Sequence, residues 1–431
     1  MKKFFGALFS VVLLGAVGLL TWRNFLLHKK VGVLQETIAQ LEKERRERAQ
    51  KDTVAESAEV KPESVAEVRK EIEAGTSELR GLSFKKPVRY KMIDRADLHD
   101  FLIKKVKEQY TDQEAHDFSR TLAAFGLVPE GTDLLKMMVE MYGEQVAAFY
   151  VPEERSLYTF KNLSWSSGLD RMLLSHELTH VLQDQNYDLT TFPLKVKDND
   201  DLALATASLI EGDATLLMTR FYAQDADAVH AWKDMAAMLG QDTTKLRKAP
   251  QYLREMLVFP YEQGNQFAMA LFSSGGTDAL NEAFRHPPVS TQQIMHPDKF
   301  IHSRHDPQAL TLHPVESKEW RLVGNNVLGE FGIRSLLQPE LGLFEAQRIA
   351  QAWDGDRYNV YESGPEGPTT GLVWITVWDK EQDAMAFEAA YQTVAQKRGV
   401  IAKLNRNGKQ VIVRQAGQDA FFALSETAIP Q

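Results

Sequence analysis

The chain has 431 residues, 44% of them hydrophobic, and a formal net charge of -9. That length is a soft expectation of two or three structural units, and the apolar share suffices for a sizeable core. There is no cysteine, which excludes disulfides, thiolate metal sites and cysteine nucleophiles, and the acidic balance without a basic, aromatic-rich stretch argues against a nucleic-acid partner.

Lys2 and Lys3 precede an uncharged run over 4–22. At about 1.5 Å per residue this run just spans a hydrocarbon core of about 30 Å. Ala16-Val17-Gly18 offers a small-x-small cleavage site, yet the apolar run continues through Leu19, Leu20 and Trp22. Residues 1–30 therefore read as an uncleaved membrane anchor in preference to a cleaved signal, with the bulk of the chain periplasmic or extracellular. Val31, Leu34, Ile38 and Leu41 follow the 3-4-3 spacing of a coiled-coil seam. Two heptads are marginal, so 31–48 is a solvated helical stalk whose 31–41 seam could also pair two chains weakly. Residues 49–78 are rich in Glu, Lys, Ala and Ser and read as a flexible linker.

Folded structure is expected from residue 79, as a core over 79–305 and an α+β unit over 306–431. Leu98, Phe101, Leu102 and Val106 mark an amphipathic helix. Short strands are expected over 147–151 and 156–160, joined by a Pro-Glu-Glu-Arg turn. Helices follow over 170–187, 200–224, 227–240, 247–257 and 262–285. Further on, "GLVWITVWD" and "KQVIVRQ" alternate like strands around an amphipathic helix that ends at Gly399. The fold class is α+β, mostly helical, with a small sheet before the helix at 170–187. Trp374 and Trp378 share a strand face and read as core; His286 and His296 read as turn and helix-capping residues.

The stretch "MLLSHELTHVLQD" carries the chemistry. His176 and His180 are four apart, so they leave one helix face about 40° apart and can bind one ion. Glu177 stands beside them, within reach of a water on that ion. Neutral imidazoles with oxygen ligands suit zinc, and HExxH is a zinc-protease pattern. Leu173, Leu174, Leu178, Val181 and Leu182 surround the polar triplet. The helix is therefore expected to be buried, and buried polar groups need partners. The alternative is a pair of satisfied histidines without metal.

A catalytic zinc takes three protein ligands and keeps one position open. No histidine follows His180 until His230. Glu211, embedded among Leu209, Ile210, Leu216 and Leu217, is the candidate third ligand. Gly212 beside it would let a second helix approach the first closely. The alternative for Glu211 is a buried ion pair with Arg220 or Arg171. Should Glu211 fail as a ligand, His230 and Asp213 are next in line. Asp184, one turn beyond His180, could orient a zinc histidine or accept a backbone N–H.

HExxH in "HELTHVLQDQ", followed on a second helix by "LIEGDAT", resembles the gluzincin group of zinc peptidases. "FPYEQGNQFAMALFSSGG" is similar to the Pro-Tyr-Glu-x-Gly segment of aminopeptidase-type members. The resemblance implies that Tyr261 donates a hydrogen bond to the tetrahedral intermediate. The chain resembles more closely an uncharacterised family of exported bacterial HExxH proteins, through "LRGLSFKKPV", "PPVSTQQIMHPDKF", "NVLGEFGI" and "VWITVWDKEQDAMAF" as well, from about residue 79 to 425. That implies a zincin-like peptidase core and no settled substrate. No Gly-x-Met-Glu-Asn exopeptidase motif precedes the zinc motif. Thr215 stands where thermolysin-type enzymes have an aspartate.

The reading is thus a membrane-anchored zinc endopeptidase of the cell envelope acting on a polypeptide. His176, His180 and Glu211 hold Zn²⁺, Glu177 is the general base and Tyr261 the oxyanion donor. Strand 147–151 could take an extended peptide by edge addition. Two rivals stand: a non-catalytic envelope protein that keeps the fold for binding or assembly, and a zinc hydrolase of a non-peptide amide.

Overall fold

The computed structural model describes residues 65–94, 111–143, 148–160, 168–225, 247–364, 369–417 and 419–426, with 97–98, 100–101 and 103–105. The expected anchor, the stalk and the helix over 227–240 lie outside the described residues. Helix α1 (Val65–Arg80) corrects the linker expected over 49–78 from residue 65 on, and 49–64 lie outside the described residues. Val68, Ile72, Thr76 and Arg80 recur every four residues and are buried. The helical spacing makes one buried stripe out of a sequence whose composition alone is that of a linker.

Three short strands follow: β1 (Tyr90–Ile93), β2 (Ala148–Val151) and β3 (Ser156–Phe160). Helices α2 (Asp112–Ala124) and α3 (Leu134–Gly143) lie between the first two. The sheet order is β1-β3-β2, with β1 parallel and β2 antiparallel to β3. Arg155, in the left-handed region at φ 46°, closes the β2–β3 turn. The sheet and α1 cover one side of α4 (Gly168–Tyr187), the HExxH helix. There Val68, Ile72, Tyr150 and Leu157 pack with Leu174, Leu178, Val181 and Phe221.

The other side of α4 meets α5 (Asp200–Asp225), which packs along α6 (Gln251–Arg285). By length and composition the stretch Asp200–Gln224 could cross a membrane, but 83% of its apolar window is buried inside the protein, as in a core helix. Helix α6 corrects the two helices expected over 247–257 and 262–285. It runs unbroken through Pro260, because residues on every side from Tyr252 to Tyr261 are buried and packing overrides the lost N–H. The real break falls at Gly275 and Gly276, where the backbone leaves helical geometry.

Gly212 approaches α6 and not the HExxH helix, contrary to the sequence expectation. A Cβ built on Gly212 would sit 2.1 Å from the Gly264 carbonyl oxygen, and one on Gly264 would sit 2.2 Å from that of Ser208. The two backbones thus cross in direct contact, one turn from Tyr261 and one residue from Glu211. Gly212→Ala is expected to destabilise the fold by about 1–3 kcal/mol through forced separation of α5 and α6. Chemical denaturation measures this; an unchanged midpoint would show that the crossing tolerates a methyl group.

Short helices α7 (Thr291–Met295) and α8 (Asp298–Ile301) lead to a five-stranded antiparallel sheet. Its strands are β4 (Trp320–Asn326), β5 (Trp353–Ser363), β6 (Thr370–Trp378), β7 (Ala402–Asn407) and β8 (Gln410–Ala416), in the order β4-β5-β6-β8-β7. Helices α9 (Gly329–Leu341), α10 (Leu343–Ala350), α11 (Glu381–Lys397) and α12 (Asp419–Ser425) accompany it. Trp374 and Trp378 are fully buried. The buried Asp356 carboxylate accepts four hydrogen bonds, from the Trp353 and Trp374 indoles and the Leu328 and Gly329 amides. His296 Nε2 donates to the buried Glu330 carboxylate at 2.8 Å, and exposed His286 caps α6. The class is α+β and mostly helical.

Candidate metal centre

Helix α4 presents His176 and His180 one turn apart, and α5 brings Glu211 against them. His176 Nε2 lies 3.1 Å from His180 Nε2 and 3.2 Å from Glu211 Oε2, and His180 Nε2 lies 3.4 Å from Glu211 Oε2. Zinc with tetrahedral bonds of about 2.0–2.1 Å spaces its ligands about 3.3–3.4 Å apart. The three donor atoms therefore fit one face of a zinc tetrahedron, in both spacing and chemistry. The residues proposed as partners for Glu211 are engaged elsewhere: Arg171 with Glu71 at 3.0 Å, and Arg220 with the Leu79 carbonyl at 3.3 Å.

The four polar side chains are enclosed: His176 and Glu177 are 0% exposed, Glu211 1% and His180 4%. Burial disfavours charge on each, and their neighbours decide the outcome. Burial alone would raise Glu211, but His180 and His176 outweigh it and hold Glu211 ionised, down to about 2. Burial would lower His180, but Glu211 and Glu177 push it up to about 9. Burial lowers His176. His180 must give up its proton before its Nε2 lone pair is available to a metal.

Glu177 is not among the three converging donor atoms. Its Oε2 accepts the backbone N–H of Tyr150 on β2 at 2.8 Å, while its buried Oε1 has no partner among the described residues. Burial, with Glu211 nearby, pushes Glu177 up to about 8. Among the described residues β2 is the outer strand of the small sheet, and its Tyr150 amide is turned to Glu177 and not to β3. The Tyr261 ring lies nearly parallel to the His176 ring, 6.4 Å between centroids. The tyrosine is buried on α6, beside the Gly212–Gly264 crossing.

Asp184 takes the second of its two expected roles, as acceptor of a backbone N–H. Its carboxylate accepts the Tyr150 hydroxyl at 2.7 Å and the Leu189 amide at 3.0 Å, so it ties α4 to β2 and to the following turn. His180 Nδ1 meets Gln183 Oε1 at 2.9 Å instead. Gln183 is three residues on, a spacing that places it on the same helix face, so that signal was present in the sequence. Asp213, next in line as a ligand, is held by Arg80 at 2.9 Å and by Gln183. His230 lies outside the described residues.

One family model, described as a domain of unknown function (DUF8575), matches residues 320–427. That stretch is the five-stranded sheet with its helices, and the metal centre lies outside it. No curated protein and no solved structure matches the chain.

Proposed function

We propose that the chain is a zinc-dependent peptidase with a zincin-like core, membrane-anchored through 4–22 and acting on polypeptides in the cell envelope. The observation that carries this reading is the convergence of His176, His180 and Glu211 at zinc-ligand spacing with Glu177 beside them. A bound zinc ion would supply a Lewis acid that acidifies a water and polarises a carbonyl. The residues do the rest. The Tyr150 amide fixes one oxygen of Glu177 and leaves the other to take a proton. Burial pushes Glu177 toward neutral pH, where a general base works best. Glu177 then delivers that proton to the leaving amine. Tyr261, on the His176 side, is the donor for the oxyanion that the gluzincin resemblance assigns.

Because these groups are buried, a polypeptide reaches them only after the surrounding elements part. The outer side of β2, next to Glu177, is where an extended chain would pair. The same burial favours one rival, a structural metal centre in a non-catalytic envelope protein. A zinc hydrolase of a non-peptide amide would use the same residues on another substrate.

Glu211→Gln tests the ligand set. It is expected to weaken zinc binding at least about 100-fold, beyond the usual cost of losing an outer partner of a ligand. Competition with a chelator measures it. Parent-like zinc affinity in Glu211→Gln would reject the ligand set and the gluzincin reading with it.

A further inference from the structure

Two acceptors fix the amide of Gln183. Its Nε2 donates to the Ile210 carbonyl at 3.0 Å and to Asp213 Oδ2 at 2.9 Å, neither of which can donate in return. Its Oε1 must therefore face His180, and an oxygen there can only accept. His180 then carries a proton on Nδ1, and its Nε2 is the nitrogen turned to His176 and Glu211. His176 has no such support: its Nδ1 is buried without a partner among the described residues.

Asp213 Oδ2 is itself held by Arg80 Nε at 2.9 Å, with both side chains 1% exposed. Arg80 is the last residue of α1, and its Nη1 donates to Asn281 on α6 at 2.9 Å. A buried carboxylate without its cation is costly, so the position of Asp213 depends on Arg80. The relay runs from α1 through Arg80, Asp213 and Gln183 to His180.

We propose, resting on the zinc reading above, that Gln183 is the positioning residue for His180. Arg80 acts on the metal centre only through it, which makes zinc affinity depend on the C-terminal end of α1. Outer partners of zinc histidines characteristically contribute 10–100-fold in affinity, about the range expected here.

The test uses the full chain in detergent, with zinc affinity from chelator competition and the visible spectrum of the cobalt-substituted protein. Gln183→Leu is expected to weaken zinc about 10–100-fold and alter the cobalt bands. The thermal midpoint of its metal-free form should stay near that of the parent. Arg80→Met is expected to weaken zinc in the same direction. Combined with Gln183→Leu it should add no further loss, since both changes cut one relay. If Arg80→Met does not fold, Arg80→Met with Asp213→Asn removes both charges of the pair and carries the same comparison. Parent-like affinity and cobalt spectrum in Gln183→Leu would overturn the positioning role. Additive losses in the combined variant would overturn the relay. A parent chain that binds no zinc would instead overturn the zinc reading itself.

Discussion

Glu177→Gln is expected to retain one zinc per chain and lose about 10²–10⁴-fold in hydrolysis, the usual contribution of a positioned acid-base group. The amide keeps an oxygen for the Tyr150 N–H, which Glu177 accepts at 2.8 Å, so the local structure has no reason to change. It cannot take a proton. Glu177 stands outside the trio of donor atoms, so the variant should bind zinc like the parent and unlike His176→Ala. Metal analysis beside peptide-cleavage rates separates the two outcomes. Zinc loss comparable to that in His176→Ala would make Glu177 a ligand and sink the assignment of roles. Unchanged cleavage would remove it as the base.

The second large effect concerns α1. A chain beginning at residue 79 is expected to lose most of its stability. It lacks Val68 and Ile72, which lie buried against Leu174, Leu178 and Phe221. Each such side chain is worth about 1.5–3 kcal/mol, so the two together are a large part of a total folding stability of about 5–15 kcal/mol. The cut also removes Glu71, which bonds Arg171, and Glu73, which accepts the Tyr90 hydroxyl at 2.6 Å. It leaves Leu174 and Leu178 of the HExxH helix facing water. A chain beginning near residue 60 should instead unfold at the temperature of the full chain. Thermal unfolding and gel filtration of the two fragments decide the matter. A monomeric 79–431 fragment with the full thermal midpoint would show that α1 is dispensable.

What could be read from the sequence followed its range of interaction. His176 and His180 are four residues apart on one helix, and their apolar neighbours announced a buried helix. The β2–β3 hairpin was marked by its own turn, and Glu211 stood out as a carboxylate among leucines. Longer-range features were not readable. The Tyr150 amide meets Glu177 across 27 residues and Arg80 meets Asp213 across 133, and no local pattern encodes either. Helix α1 was hidden by its many charges, although Val68, Ile72 and Thr76 kept a four-residue spacing. The gap expected between 257 and 262 is bridged by α6, because local propensity says nothing of packing on all sides. Strand β5 carries Asp354, Asp356 and Glu362 and looks polar. Asp356 can be buried only because the Trp353 indole on its own strand, the Trp374 indole on β6 and two amides at the start of α9 converge on it.

The most direct test of the central claim is zinc stoichiometry of the full chain, measured together with cleavage of an unbiased peptide library before and after chelation. The expected result is one zinc per chain, lost in His176→Ala and His180→Ala. Cleavage should disappear on chelation and return when zinc is restored. A chain that binds no zinc, or one whose library cleavage persists unchanged without it, would contradict the account.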